Sequence, residues 1–323
     1  MADKHTLSGI ASKKPTGSLS CTASKKPTGS LPCTASQKPS SSLSGTLRQV
    51  FRLWALYGRM DLLWLLRDTR SCLLVIVSDL IGSVAGIMGI ILLSTRFGGI
   101  GGMSSDEVLF MLGYATCIDG VFMIFFNMCN VAQISRIIGR GQLDHMLVQP
   151  VPLWMQLLTT GFIPFTGSSL MLCGLGLTGW AASRLGMWAD PIWIPWMGVN
   201  LMASVAVVMA ISYLAGSSAF YAPVAAEEIS SSTFGFFDAI KRFPLGGLPR
   251  PMQWVLCTVL PAGLVAWFPV TTLLGSPPAG FPVFLLMLFA LALGTLATYV
   301  FRKGLRHYAK YGSIRYSDHG FRR

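Results

Sequence analysis

Ile137-Ile138-Gly139-Arg140-Gly141-Gln142-Leu143-Asp144-His145-Met146-Leu147-Val148-Gln149-Pro150-Val151-Pro152-Leu153 places a short polar-edged helix between two long apolar segments. Gly139 and Gly141 end the helix before it, and Pro150 and Pro152 keep the next one from fusing with it. About two turns are left that can move as one piece. Taken alone these residues make an ordinary loop, so their meaning depends on what lies on either side.

The flanks are membrane-like. Of 323 residues, 52% are hydrophobic and 12% charged, and the mean hydropathy is +0.58, which leaves too little polar surface to cover a soluble core of that size. Apolar windows of at least the roughly 20 residues needed to cross a bilayer lie near 72–94, 108–131, 154–179, 192–219, 254–275 and 281–301. The expected fold is an all-α membrane protein with six transmembrane helices, because uninterrupted apolar windows exclude the alternating pattern of a membrane barrel.

Basic residues stay on the cytoplasmic side of short loops. With both termini cytoplasmic, the segment before residue 72 holds eleven Lys and Arg, the 132–153 loop two, the 220–253 segment three and the stretch after 301 seven, leaving only Arg96 and Arg184 outside. The net charge of +12 is thus a topology signal rather than a nucleic-acid signal. Arg302, Lys303, Arg306 and Lys310 are placed to meet anionic lipid headgroups. The first 46 residues hold no hydrophobic stretch of the signal-peptide kind. The seven cysteines are divided between spans and tail, which gives neither a disulfide framework nor a zinc site.

Residues 1–46 carry a twelve-residue repeat, Ala11 to Thr22, Ala23 to Thr34 and a decayed copy Ala35 to Thr46. One Leu per copy supplies no face for stacking, so a disordered basic tail is expected. The domain proper is 47–323. From Leu47 an amphipathic interfacial helix is predicted, with Arg48, Arg52 and Arg59 on one arc and Val50, Trp54 and Tyr57 on the other.

Within the spans, Gly82-x-x-x-Gly86 forms a small-residue face for close helix approach. Thr116, Asp119, Asn127 and Asn130 fall within roughly 80° of one another on a helix, a polar stripe that should avoid lipid. Asp119 sits near mid-membrane, where ionisation is costly without water or a partner. The stripe serves either a pathway or hydrogen bonding between helices. Pro261 and Pro269 predict kinks or a short re-entrant turn near the outer face.

Several chemistries are missing. No phosphate-binding Gly-x-x-x-x-Gly-Lys-Ser/Thr occurs, no His-Glu-x-x-His occurs, and His5, His145, His307 and His319 all lie outside the spans. No catalytic and no metal-binding residue is assigned; Ser168 reads as packing, and the adjacent Glu227 and Glu228 will not face each other on a helix.

Three segments carry a resemblance. Gly139–Pro150 resembles the R-x-G-E-L-D-x-Y-L-L-x-P signature of type 2 ATP-binding-cassette (ABC) exporter permeases. Phe243-Pro244-Leu245, Pro261 and Trp267–Gly275 are similar to that family's Y-P-L…P…Y-Y-P-A-x-x-L-L-G region, and Gly304-Leu305-Arg306-His307-Tyr308 to its closing G-L-R-R-Y. Gln142 replaces the usual Glu, His145 the Tyr, and Val151-Pro152 the Asn-Pro. The resemblance covers roughly residues 47 to 313.

It implies a multi-pass permease of the bacterial plasma (inner) membrane, paired with a second copy or a sister permease. A separate cytosolic ATPase would hold ATP and Mg, with no cofactor on this chain. The helix at about 142–149 would couple to that ATPase through Arg140, Gln142, Asp144 and His145. No substrate follows. Two other classes stay open: a proton-driven secondary transporter using Asp119, and a non-transporting scaffold in which the polar stripe only packs.

Overall fold

The computed structural model describes residues 43–126, 134–276 and 282–312. The regular structure there is helical: α1 (Leu43–Arg67), α2 (Thr69–Phe97), α3 (Ser105–Phe126), α4 (Ile134–Gly139), α5 (Gln142–Val148), α6 (Leu153–Thr159), α7 (Ser168–Arg184), α8 (Trp193–Gly216), α9 (Pro223–Lys241), α10 (Arg250–Thr258), α11 (Trp267–Leu273) and α12 (Leu285–Tyr311). Single 3-10 turns occupy Met187–Ala189 and Ser217–Phe220. Four helices are long and apolar enough to cross a membrane: α2, α3, α8 with the turn that follows it, and α12. The repeats before residue 43, with Asn127 and Asn130 of the polar stripe, lie outside the described residues.

α3 is the central helix, and nearly its whole length is buried. Its start is a capping box: the Ser104 backbone N–H donates to Glu107 at 2.7 Å and the Glu107 N–H to the Ser104 hydroxyl at 3.4 Å. α7 packs against it in the opposite direction, through glycine. A Cβ added to Gly120 would sit 2.5 Å from the Met171 Cα, and one on Gly174 would sit 2.6 Å from the Cys117 nitrogen. Backbones that close leave no room for a side chain. The small-residue seam inside the chain is therefore α3 on α7, whereas Gly82 of the anticipated Gly82-x-x-x-Gly86 face meets nothing within 4 Å and Gly86 meets only the Arg242 guanidinium.

α1 is the predicted amphipathic helix, with Val50 and Asp61 buried and Arg48, Arg52 and Arg59 exposed. It fastens to the break between α6 and α7. The Asp61 carboxylate accepts from the Phe165 N–H (2.8 Å), the Thr166 N–H (3.2 Å) and the Thr166 hydroxyl (2.7 Å), and Trp54 stacks on Phe162 with ring centroids 5.6 Å apart. A loop carrying unpaired N–H groups inside an apolar bundle needs such an acceptor. The window at 154–179 is accordingly two helices with a braced elbow between them.

Two segments depart from the sequence reading. Residues 220–253, expected as a cytoplasmic loop, contain α9, which packs along α8. It starts beside α4 and leads to Gly246, whose added Cβ would meet the Gly101 carbonyl between α2 and α3 at 2.1 Å. Gly101 lies at the end of the bundle opposite α5, so α9 and the turn after it travel the length of the bundle. The window at 254–275, expected as one span with kinks or a short re-entrant turn at its prolines, is α10, a buried turn and α11. That hairpin begins near Gly101 and ends where Thr272 and Leu273 line a cavity with Gly186 and Trp193 of the α7–α8 connection. Both ends lie at the same end of the bundle, and Pro261 and Pro269 stop the two halves from joining.

Gly120→Ala or Gly174→Ala should destabilise the protein by about 1–3 kcal/mol, the usual cost of overpacking. Gly89→Ala, with nothing within 4 Å of the new Cβ, should be neutral or slightly stabilising. Thermal unfolding of the detergent-solubilised variants separates the two outcomes.

Candidate functional site

The short helix α5 is reached through Gly141, whose φ of 72° lies in the left-handed region that suits glycine. That turn reverses the chain between α4 and α5. Three anchors then hold α5. Leu143 is fully buried in a small core with Ile134, Ile137, Phe220, Ala226 and Tyr308. The Tyr308 hydroxyl of α12 donates to Asp144 at 2.6 Å. Gln156 of α6 donates to the carbonyls of Met146 (2.8 Å) and Val151 (2.7 Å), closing the carbonyls that a short helix leaves open at its C-terminus.

The outward face of α5 carries Gln142 and His145, with Arg140 just before it, all exposed. Asp144 differs from these three, being half-buried and turned toward α12. Leu147 and Val148, which sequence reasoning did not single out, form an apolar tip 45% and 86% exposed. Tyr308 and Gln156 were also missed as partners. The signal for Tyr308 was present in the closing Gly304–Tyr308 segment, but a contact across 164 residues has no local signature. Gly304 has its own reason: a Cβ there would be 2.2 Å from the Phe220 ring, so glycine lets α12 close on the α5 core.

A second constellation lies halfway along the bundle. Lys241 of α9 pairs with Asp119 of α3, and Arg242 reaches the other oxygen of Asp119 at 3.0 Å. Asp238, one turn back, meets Lys241 at 2.6 Å and Arg242 at 3.6 Å. Two acids and two bases therefore close a neutral quartet, with Lys241 only 2% exposed. Charges in such surroundings are tolerated only when each is paired and hydrogen-bonded. Asp119, expected as a single central carboxylate, is answered on both oxygens. Lys241, Arg242 and Asp238 escaped notice because their segment was placed in a loop. The signal that could have found them is the 238/241/242 spacing, which puts all three charges on one helix face among Phe237 and Ile240.

Thr116 does not join the quartet; its hydroxyl bonds the Leu112 carbonyl of its own helix at 2.8 Å. The two constellations are linked by α9. Near its start Glu227 accepts from Arg136 of α4 at 2.7 Å, and Ala226 is buried in the core that holds Leu143. At its other end sits the quartet. α9 is thus a rod fastened to the α4–α5 unit at one end and to α3 at the other.

At the far end of the bundle, Leu245 is buried and its Cδ1 would lie 2.5 Å from a Cβ on Gly263, while the Trp267 indole nitrogen lies 3.9 Å from one on Gly246. The Phe243-Pro244-Leu245 and Trp267–Gly275 segments therefore form a single packed corner.

The sequence model of a family described as ABC-2 family transporter protein matches residues 80–312. No curated protein and no solved structure matches the chain.

Lys241→Met should destabilise by about 2 kcal/mol or more, at the low end for a broken buried pair because Asp119 is partly exposed. The Asp119→Asn/Lys241→Met double variant should be less destabilised than the sum of the singles by about 1 kcal/mol. Additive losses in chemical unfolding would show that the two side chains do not interact.

Proposed function

The chain belongs to the ABC-2 family transporter proteins, and from that premise we propose that it is the membrane permease subunit of an ATP-driven exporter. Its motor is a separate cytosolic ATPase, the arrangement with which membrane components of this family generally work. The observation that carries the reading is α5: a helix with an exposed apolar tip, fastened from within to α6 and α12 and through a shared core to α9.

In this reading the bundle crosses the membrane six times, by α2, α3, α6 with α7, α8, α9 and α12, with α10 and α11 as a re-entrant hairpin on the outer side. Both termini and α5 are cytoplasmic, in a bacterial inner membrane. The basic residues support that orientation: among the described residues first counted as inside, only Lys241, Arg242 and Arg250 lie elsewhere, two in the quartet and one at the opposite end.

Gln142, His145, Leu147 and Val148 sit in a groove of the ATPase, with Arg140 at its rim. When two ATPases close on ATP and Mg, α5 is pushed; Leu143 and the Asp144–Tyr308 bond carry the displacement to α12, and the Arg136–Glu227 pair carries it to α9. α9 then slides on α3 across the quartet. A second copy or a sister permease meets the Gly82–Gly86 face of α2, where Gly82 is open and Arg242 lies against Gly86, and the path for substrate runs between the two subunits. A proton-driven route through Asp119 is not favoured, because both its oxygens already face cations.

Purification from membranes in mild detergent should bring down a stoichiometric nucleotide-binding subunit; a clean single-chain assembly that still transports would refute the reading. Val148→Glu should weaken ATPase association by on the order of tenfold while leaving the permease folded. Charge reversal at Arg140 or Asp144 should uncouple ATP hydrolysis from export without loss of membrane insertion. Tyr308→Phe, which removes only the inner bond to Asp144, should preserve ATPase binding and lower coupling.

A further inference from the structure

A groove of about 520 Å³ opens on the side of the bundle between α6, α8 and α12. Its floor is made by small residues, Ala206 and Ala210 of α8 with Gly294 and Ala297 of α12. The Thr298 hydroxyl is already bonded to the Gly294 carbonyl at 2.8 Å, so it asks for no water. Along α12 the groove runs from Gly294 to Leu305, about 16 Å at 1.5 Å per residue, close to one leaflet of a hydrocarbon core roughly 30 Å thick.

The end nearest α5 is basic. Arg302 lines the groove, and a second depression shares Gly294, Thr298 and Arg302 with it and adds Lys303 and Arg306. Arg302 and Arg306 stand four residues apart, where like charges on a helix repel. Neither has an acidic partner among the described residues. A carbon-walled slot of leaflet length that ends at Arg302, with Arg306 in the depression beside it, matches one amphiphile in shape and charge.

We propose that this groove holds an anionic phospholipid of the cytoplasmic leaflet, with one acyl chain along Ala206, Ala210, Gly294 and Ala297 and its phosphate on Arg302 and Arg306. The assignment rests on the cytoplasmic placement of the α5 end and is independent of any ATPase. The site has a position in the machine, because α6 supplies one wall through Leu153 and Leu157 and follows α5 directly. The lipid packs against the same helix that Gln156 ties to α5.

The test is native mass spectrometry of the full chain in mild detergent, supplied with phosphatidylglycerol or with phosphatidylcholine of the same acyl chains. The wild type should retain one phosphatidylglycerol per chain, preferred over phosphatidylcholine by on the order of tenfold. Arg302→Gln/Arg306→Gln should erase the preference, and Lys310→Gln should leave it intact. Gly294→Leu, whose Cβ meets nothing within 4 Å and therefore fills the groove without displacing backbone, should lose both lipids. Equal retention of the two lipids, a preference that survives the double variant, displacement by inorganic phosphate, or a native occupant that is not a membrane lipid would each overturn the assignment. ATPase co-purification is untouched by any of these outcomes, so failure here stays distinct from failure of the transport reading.

Discussion

A carboxylate in the middle of an apolar bundle has to be answered by cations, and the position of Asp119 on α3 sets that demand. The desolvation of a charged group costs several kcal/mol unless its lone pairs are engaged. Lys241 and Arg242 engage both oxygens, and they do so only because α9 enters the bundle instead of lying outside it. Once α9 is inside, Asp238 is needed to balance the second cation, the Arg136–Glu227 pair falls into place at the other end, and the chain must still reach Gly101 before it turns into α10. Much of the second half of the protein follows from one acid on the central helix.

The parts of this fold that could be read from the sequence are those governed by local rules. Helices α2, α3, α8 and α12 are long apolar runs, α1 has its charges on one arc, and the Gly141 to Pro150 frame marks α5 almost to the residue. Hydropathy failed where a helix carries charge for a tertiary reason. Glu227, Glu228, Asp238 and Lys241 made α9 look like solvent-exposed chain, and the apolar stretch after it, richer in Trp, Val and Leu, looked like the span. The break itself was announced by Pro261 and Pro269, read as kinks or a short re-entrant turn, since they sit where a continuous helix would need their missing N–H groups. The seam inside the chain lies elsewhere than the Gly82-x-x-x-Gly86 face: the tight contact is made by Gly120 and Gly174, whose Thr116-x-x-x-Gly120 and Gly174-x-x-x-Thr178 spacings are of the same small-residue kind.

At α5 the sequence placed the short helix where the structure has it and missed what holds it. Three of the four residues read as ATPase-facing, Arg140, Gln142 and His145, are on the surface, and the fourth, Asp144, is turned half inward to Tyr308. Asp144 and Tyr308, remote in sequence, each belong to one of the segments that carried the family resemblance, and their bond gives a physical reason for both segments at once. The exposed residues differ from the familiar pattern at Gln142 and His145, whereas the inward Asp144 matches it, as expected if the partner surface varies and the internal joint does not.

The quartet also bears on how the protein is made. α9 carries too many charges to enter a bilayer by hydropathy alone, and the residue that neutralises Lys241 lies 122 positions earlier in the chain. Synthesis therefore delivers the acid first: Asp119 has already been made when the basic end of α9 emerges. Burial of α9 becomes an act of assembly between helices, and the order of residues along the chain serves as the schedule for it.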